Sequence, residues 1–102
     1  MEFIESLIFT KESRYLLTED GLRQLQMVLS SQPEIGRIII GSKGLRKVRW
    51  FCSGKGKRGG LRIIYYWLRD DYQIVLLHVY EKSKQEDLTI GQIKFLRKLI
   101  ED

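Results

Sequence analysis

The chain has 102 residues, 43% of them hydrophobic and 30% charged, with a formal net charge of +5 and an isoelectric point near 9.5. This composition excludes a disordered or fibrous chain and predicts one soluble globular domain over residues 1–102 with an anionic partner. The single cysteine, Cys52, excludes an internal disulfide, and we expect a cytoplasmic protein with no signal peptide and no membrane contact.

The N-terminal third predicts a strand followed by a helical region. Phe3 to Phe9 (FIESLIF) is rich in β-forming residues and alternates loosely, which favours a first strand. Residues 10–16 are expected to form a connection or a short helix. Thr18 then has the position of an N-cap, and leucines follow at helical spacing, so we predict a helix to about Ser31.

The remainder predicts three strands in succession and a last helix. Residues 35–41 form either a short strand or an extended link. Strands are predicted over residues 45–51, 61–68 and 73–80, a glycine-rich loop over 53–60, a turn at 70–71, and a helix that begins at Thr89 with a capping box to Gln92. Sequential strands joined by short turns imply an antiparallel meander, with one face on the N-terminal helix and the other open.

The positive charge is concentrated in one stretch, Lys43 to Arg69 (KGLRKVRWFCSGKGKRGGLRIIYYWLR). It holds nine of the 18 basic residues, none of the 13 acidic residues and five of the 11 aromatic residues. Cations, glycines and aromatic rings in this density are typical of a surface that binds RNA or DNA. The alternative is that the charge only keeps a small domain soluble.

Strand alternation sorts these cations. Lys47 and Arg49 lie two residues apart and share one face of their strand. On the next strand Arg62 and Tyr66 share a face, and the more apolar opposite face is assigned to the core. Three neighbouring cations on an open face repel one another, which predicts a phosphate as their counter-ion. The alternative is ordinary solvent-exposed strand cations.

Other residues carry weaker signals. The loop cations could wrap a nucleic-acid backbone, although the loop lacks a P-loop pattern and could equally be a charged hairpin tip. His78, on the face of Leu76 and Tyr80 by alternation, is more typical of a satisfied core or edge residue. One Cys, one His and no carboxylate cluster predict neither a metal site nor a cofactor.

Four segments together resemble one family. They are GLRKVRW (44–50), SGKGKRGG (53–60), LRIIYYWL (61–68) and LLHVYEKSKQEDL (76–88), and they are similar to the HigB-type branch of the RelE/ParE toxin superfamily. The resemblance implies an α+β fold of the RelE type, with a mainly antiparallel twisted sheet of about four strands, an N-terminal helical region on one face and a C-terminal helix.

The resemblance also implies an activity. It implies a ribosome-dependent mRNA endonuclease (mRNA interferase), the toxin of a bacterial type II toxin–antitoxin pair, which inhibits translation. The family reaction takes place in the ribosomal A site without a metal: the ribose 2′-OH attacks the adjacent phosphate and leaves a 2′,3′-cyclic phosphate. The implied partners are ribosomal small-subunit rRNA, mRNA and a cognate antitoxin of the helix-turn-helix, HigA type.

The resemblance assigns catalysis to Lys47, Arg49, Arg62 and Lys82. Arg62 and Lys82 are expected to stabilise the phosphorane charge, and Lys47 or Arg49 to position the phosphate. Lys47 is the better candidate for a general base, because arginine does not release its proton readily. RNA or ribosome contacts are expected from the following residues: Lys43, Arg46, Lys55, Lys57, Arg58, Tyr66, Tyr80 and Lys84.

The chain departs from the RelE pattern at one position. RelE carries a tyrosine on its C-terminal element, and the matching residue here is Leu88. Either Tyr80 or Tyr66 substitutes for it, or the reaction proceeds without it.

Two other functions compete with mRNA cleavage. A ParE-like gyrase poison would not need three cations on an open face, so Lys47, Arg49 and Arg62 together argue against it. A non-catalytic RNA-binding domain is the other alternative, and a neighbouring antitoxin reading frame would speak against it.

Overall fold

The computed structural model of the chain describes residues 1–51 and 60–101. Within these ranges the elements are β1 (Glu2–Glu5), α1 (Leu7–Leu16), α2 (Glu19–Ser31), β2 (Arg37–Ile38), β3 (Arg46–Trp50), β4 (Leu61–Leu68), β5 (Gln73–Glu81) and α3 (Ile90–Lys98). None of these helices has the length and apolar content that crossing a bilayer requires.

The strands form one mixed sheet in the order β1-β5-β4-β3-β2. The predicted antiparallel meander is confirmed for β3 to β5. The segment expected to be a short strand or a link contributes a two-residue antiparallel strand, β2. β1 adds a fifth strand at the far edge, parallel to β5, with Glu2 opposite Gln73. The predicted α+β architecture is therefore confirmed, with five strands in place of about four.

The predicted first strand over residues 3–9 is wrong beyond Glu5. Ser6 caps α1, because its Oγ accepts a hydrogen bond from the Phe9 N–H at 2.9 Å and donates one to the Leu77 carbonyl at 2.8 Å. This double contact ends the strand and turns the chain into a helix. Phe9, in the first turn of α1, is thereby fully buried against the sheet.

The predicted caps of the other two helices are confirmed. The Thr18 hydroxyl accepts from the Gly21 N–H at 2.9 Å, and Glu19 and Asp20 occupy the first turn of α2. Thr89 and Gln92 form the expected capping box at the start of α3.

The face predicted for the core is confirmed by the side chains that α1 and α2 cover. Ile63 and Tyr65 from β4 are fully buried there against Leu25 and Leu29 of α2. The Tyr65 hydroxyl donates to the Pro33 carbonyl at 2.6 Å and accepts from the Gly36 N–H at 2.9 Å. These bonds tie the segment before β2 to the centre of the sheet.

The opposite face, expected to be open, is partly covered by α3. Leu96 of α3 packs on Ile64, Leu77 and Tyr80 in a second buried cluster. The apolar stripe of α3 explains this, because an amphipathic helix is stable only when its apolar face finds a surface to bury. The uncovered part of this face lies toward β2 and β3.

A bulge in β5 resets its alternation. Ile64 is opposite His78 while Tyr65 is opposite Leu76, so Leu77 is an extra residue in the ladder. Leu76 consequently packs with the α1–α2 cluster, whereas Tyr80 packs with the α3 cluster. The expectation that Leu76 and Tyr80 share a face is therefore wrong.

Candidate active site

The sheet register places cationic side chains in two adjacent rows. In one row Arg37 of β2 is opposite Lys47 of β3. In the other row Arg49, Arg62 and Tyr80 are directly opposite one another on β3, β4 and β5. The Cβ atoms of residues directly opposite each other on one face lie about 5 Å apart. Three adjacent strands therefore bring these side chains close together.

Arg37 and Lys47 of one row and Arg49 and Arg62 of the other line a cavity of about 520 Å³, and Tyr80 lies outside its wall. The wall of the cavity contains four cationic side chains and one carboxylate. Its residues are Ile35, Arg37, Lys47, Val48, Arg49, Arg62 and Glu86. A concave surface with an excess of one charge concentrates counter-ions of the opposite charge. The cavity is therefore suited to an anion such as a phosphate group.

Arg62 forms the buried wall of this cavity. Its side chain is only 4% exposed, so the expectation that it projects from an open sheet face is wrong. Its guanidinium also donates to the Leu61 carbonyl at 3.2 Å. A cation held in a water-poor environment interacts more strongly with an incoming anion than one in bulk water.

Tyr80 is enclosed beside Arg62. It is 7% exposed, and its hydroxyl donates a 3.4 Å hydrogen bond to the Glu86 carbonyl. Burial, reinforced by the negative charge of Asp87, raises the pKa of the Tyr80 phenol above 10.0, against a smaller lowering effect of Arg62. The phenol therefore keeps its proton at neutral pH and can serve as a hydrogen-bond donor.

Asp87 supplies an internal counter-ion that sequence reasoning missed. Its Oδ1 lies 2.8 Å from the Lys47 ammonium, and this hydrogen bond lowers the pKa of the Asp87 carboxyl below 3.8. The inference that an external anion alone offsets the cationic face is thus corrected. The available signal was the acidic pair Glu86-Asp87, which follows a strand next to a basic face.

The structure separates several predicted RNA-contacting residues from the cavity. Arg46 donates to the carbonyls of Gly36 at 2.8 Å and Glu34 at 3.1 Å, and its guanidinium lies 6.0 Å from the Trp67 ring. These contacts hold the segment before β2 on the α1–α2 side of the sheet, away from the face of Lys47.

Tyr66 is also occupied within the fold. Its ring packs with the α3 cluster and lies 5.4 Å from the Arg97 guanidinium. The ring is therefore partly covered on the α3 side of the sheet, and its expected contact with RNA stays a prediction.

The remaining predicted lysines lie in the segments that connect β2 to β3 and β5 to α3. Lys82 follows β5 directly and is half-buried, and its N–H donates to the Gly60 carbonyl at 3.2 Å. Lys84 is exposed and lies 3.3 Å from Glu81. Lys43 is exposed in a turn with a positive φ of 59°.

The predicted loop contacts of Lys55, Lys57 and Arg58 lie outside the described residues. Within residues 1–51 and 60–101, no three His, Cys, Asp or Glu side chains come together as a metal-ligand group.

The fold has a counterpart among solved structures, whereas no protein-family model matches the chain. A free-state structure of the Escherichia coli toxin RelE, a double arginine-to-alanine mutant, superposes with a TM-score of 0.64. The match covers 98% of this chain and 97% of that chain at 16% sequence identity. The chain has the RelE fold. The fold predicted from the sequence resemblance is therefore confirmed, and the RelE sheet is the frame that carries Arg49, Arg62 and Tyr80.

Proposed function

We propose that this protein is the toxin of a toxin–antitoxin pair and cleaves mRNA in the ribosomal A site. The observation that carries the proposal is the row Arg49–Arg62–Tyr80, whose two arginines line one cationic cavity together with Lys47. Phosphodiester cleavage passes through a phosphorane that carries more negative charge than the substrate, and fixed buried cations stabilise that charge. The RelE fold supports the same assignment.

The proposed reaction is an internal transesterification of the RNA. The 2′-oxygen attacks phosphorus as its proton passes to a solvent water molecule, the bond from phosphorus to the 5′-oxygen breaks, and the 5′-oxygen takes up a proton. The products are a 2′,3′-cyclic phosphate and a 5′-hydroxyl. Arg62 and Arg49 bind the non-bridging oxygens, and Lys82 adds positive charge at the end of β5.

Lys47 is assigned to positioning the phosphate. The Lys47 ammonium donates a hydrogen bond to Asp87 and therefore carries its proton in this contact. The charged form binds phosphate but cannot accept the proton of the 2′-OH. The pair with Asp87 thus argues for the positioning role over the general-base role.

Tyr80 is the better substitute for the tyrosine that RelE carries where this chain has Leu88. Tyr80 is opposite Arg62 and keeps its phenolic proton at neutral pH. Tyr66 instead packs under Arg97. We assign Tyr80 to donating a hydrogen bond, and finally a proton, to the departing 5′-oxygen.

The proposed partners follow from this activity. The toxin binds small-subunit rRNA and mRNA on the ribosome, and a cognate antitoxin of the helix-turn-helix, HigA type neutralises it by covering the cationic cavity or by blocking ribosome entry. An anionic surface on the antitoxin would match the four cations of the cavity wall.

Induced expression followed by mapping of mRNA ends tests the proposal. We expect new ends inside translated codons with wild-type protein and none with Arg62→Ala. Arg69→Ala is the matched control, because Arg69 lies in the same basic stretch but against Trp67, with its guanidinium 5.2 Å from that ring. Intact mRNA together with double-strand DNA breaks would contradict the proposal and support gyrase poisoning. Ribosome binding without cleavage would contradict it and support a non-catalytic RNA-binding domain.

A further inference from the structure

We propose that Glu12 and His78 form a positioning pair that fixes the Tyr80 ring beside Arg62. The inference rests on the proposed function, because it concerns the placement of the proton donor in that reaction. It assigns a role to the one histidine of the chain and to a carboxylate of α1, both of which lie outside the cavity wall.

The Glu12 carboxylate binds β5 through two oxygens. One oxygen lies 2.8 Å from His78 Nδ1, and the other lies 2.9 Å from the same nitrogen and accepts the Val79 N–H at 3.0 Å. A carboxylate only accepts hydrogen bonds, so His78 Nδ1 carries the proton. Both side chains are largely buried, at 15% exposure for His78 and 26% for Glu12.

This contact begins where the support of β1 ends. β1 pairs with β5 only as far as Leu76. Val79 lies beyond that point, and the Glu12 carboxylate takes the place of a neighbouring strand for its N–H. The α1 helix thus fixes the section of β5 that carries His78 and Tyr80.

The imidazole of His78, held by Glu12, in turn restricts the position of the Tyr80 phenol. The His78 and Tyr80 rings stack with centroids 5.1 Å apart and an angle of 27° between their planes. The bulge at Leu77 precedes this pair and fixes the face on which it lies. An imidazole held by Glu12 is a rigid surface for the Tyr80 ring, whose hydroxyl lies beside the Glu86 carbonyl at the cavity.

The simplest competing explanation is that Glu12 only caps the edge of β5. Loss of an edge cap lowers stability but has no specific effect on Tyr80 or on the chemical step. The positioning role predicts instead that the effects of His78 and Tyr80 substitutions are not additive.

A double-mutant cycle with His78→Phe and Tyr80→Phe separates these explanations. His78→Phe keeps a flat ring but loses the bond to Glu12. With programmed ribosomes, we expect each single variant to lower kcat by about tenfold or more with little change in KM, and the double variant to be no slower than Tyr80→Phe alone. The positioning role would be overturned if the loss of kcat in the double variant equalled the product of the two single losses. It would also be overturned if each loss of kcat were fully explained by a smaller folded fraction of the variant.

A second readout does not depend on catalysis. In ¹³C-tyrosine-labelled protein, the Tyr80 ring signal is identified by its loss in Tyr80→Phe. We expect Glu12→Gln and His78→Ala to shift this signal and to accelerate ring flipping, whereas Glu19→Gln, an exposed carboxylate of α2, leaves it unchanged. An unshifted Tyr80 signal in both variants would refute the inference, whereas a shifted signal in a protein without nuclease activity would refute only the proposed function.

Discussion

The Lys47 ammonium and the Asp87 carboxylate lie 2.8 Å apart, although 40 positions separate them along the chain. Their ion pair ties the connection between β5 and α3 to Lys47, which lines the cationic cavity. It also places a carboxylate at a position where a substrate phosphate would bind Lys47. In the proposed reaction, a substrate phosphate would therefore compete with Asp87 for this ammonium.

Replacement of Asp87 by asparagine should strengthen binding of the ribosome. Asp87→Asn removes the competing charge while it keeps the shape, so we expect affinity to rise by about two- to tenfold at low salt and less at high salt. Fluorescence anisotropy with labelled protein measures this. Asp70→Asn in the turn between β4 and β5 is the matched control, and weaker binding by Asp87→Asn would contradict the competition.

The same pair predicts how Asp87 titrates. Because the hydrogen bond from Lys47 depresses the folded-state pKa of Asp87 below 3.8, the contribution of the pair to stability is present above the unfolded-state value and is lost as pH falls through the folded-state value. The pair is therefore intact throughout the neutral range. NMR titration of the carboxyl should give a midpoint below 3.8 in the wild type, and Lys47→Met should move it back toward 3.8. An identical midpoint in both proteins would show that the pair does not form in solution.

Two buried phenols predict the alkaline limit of stability. Burial raises the folded-state pKa of Tyr65 and Tyr80 above 10.0, so the folded state holds protons that the unfolded state releases. Stability is therefore unaffected below that pH and falls above it, by up to about 1.4 kcal/mol per pH unit for each group. Urea unfolding across this range should show a shallower decline for Tyr80→Phe than for the wild type, and equal slopes would contradict the assignment.

Tyr65→Phe should destabilise the segment that carries part of the cavity wall. The lost hydroxyl leaves the Gly36 N–H and the Pro33 carbonyl without their hydrogen bonds, which costs about 1–3 kcal/mol. Such a loss lowers Tm by about 4–8 °C per kcal/mol in a domain of this size. Calorimetry measures it, and a Tm equal to that of the wild type would show that these bonds contribute nothing net.

Strand alternation predicted the β4 side of the site correctly. LRIIYYWL alternates between two faces, and its assignment of Ile63 and Tyr65 to the core is confirmed. Alternation failed on β5, because the bulge at Leu77 adds a residue that the apolar run QIVLLHVY does not reveal. Residue type along a uniformly apolar strand carries no information about its register.

The enclosure of the site could not be read from local patterns. Arg62 is buried although it lies on the face of Lys47 and Arg49. α3, which begins at Ile90, packs on the same face of the sheet, and the capping box predicts that helix but not where it packs. The contacts of Asp87 with Lys47 and of Glu12 with His78 join residues distant in the sequence. The sequence shows the acidic pair Glu86-Asp87 after a strand, but only the tertiary fold shows which side chain each carboxylate contacts.

Cleavage by purified protein on programmed ribosomes tests the central claim most directly. The protein is mixed with ribosomes that hold a defined codon in the A site, and the RNA ends are analysed chemically. We predict a 2′,3′-cyclic phosphate and a 5′-hydroxyl within that codon, a rate lowered by about 100-fold or more in Arg62→Ala, and an unchanged rate in Arg69→Ala. RNA that stays intact on the ribosome with folded wild-type protein, or cleavage that persists in folded Arg62→Ala, would contradict the account.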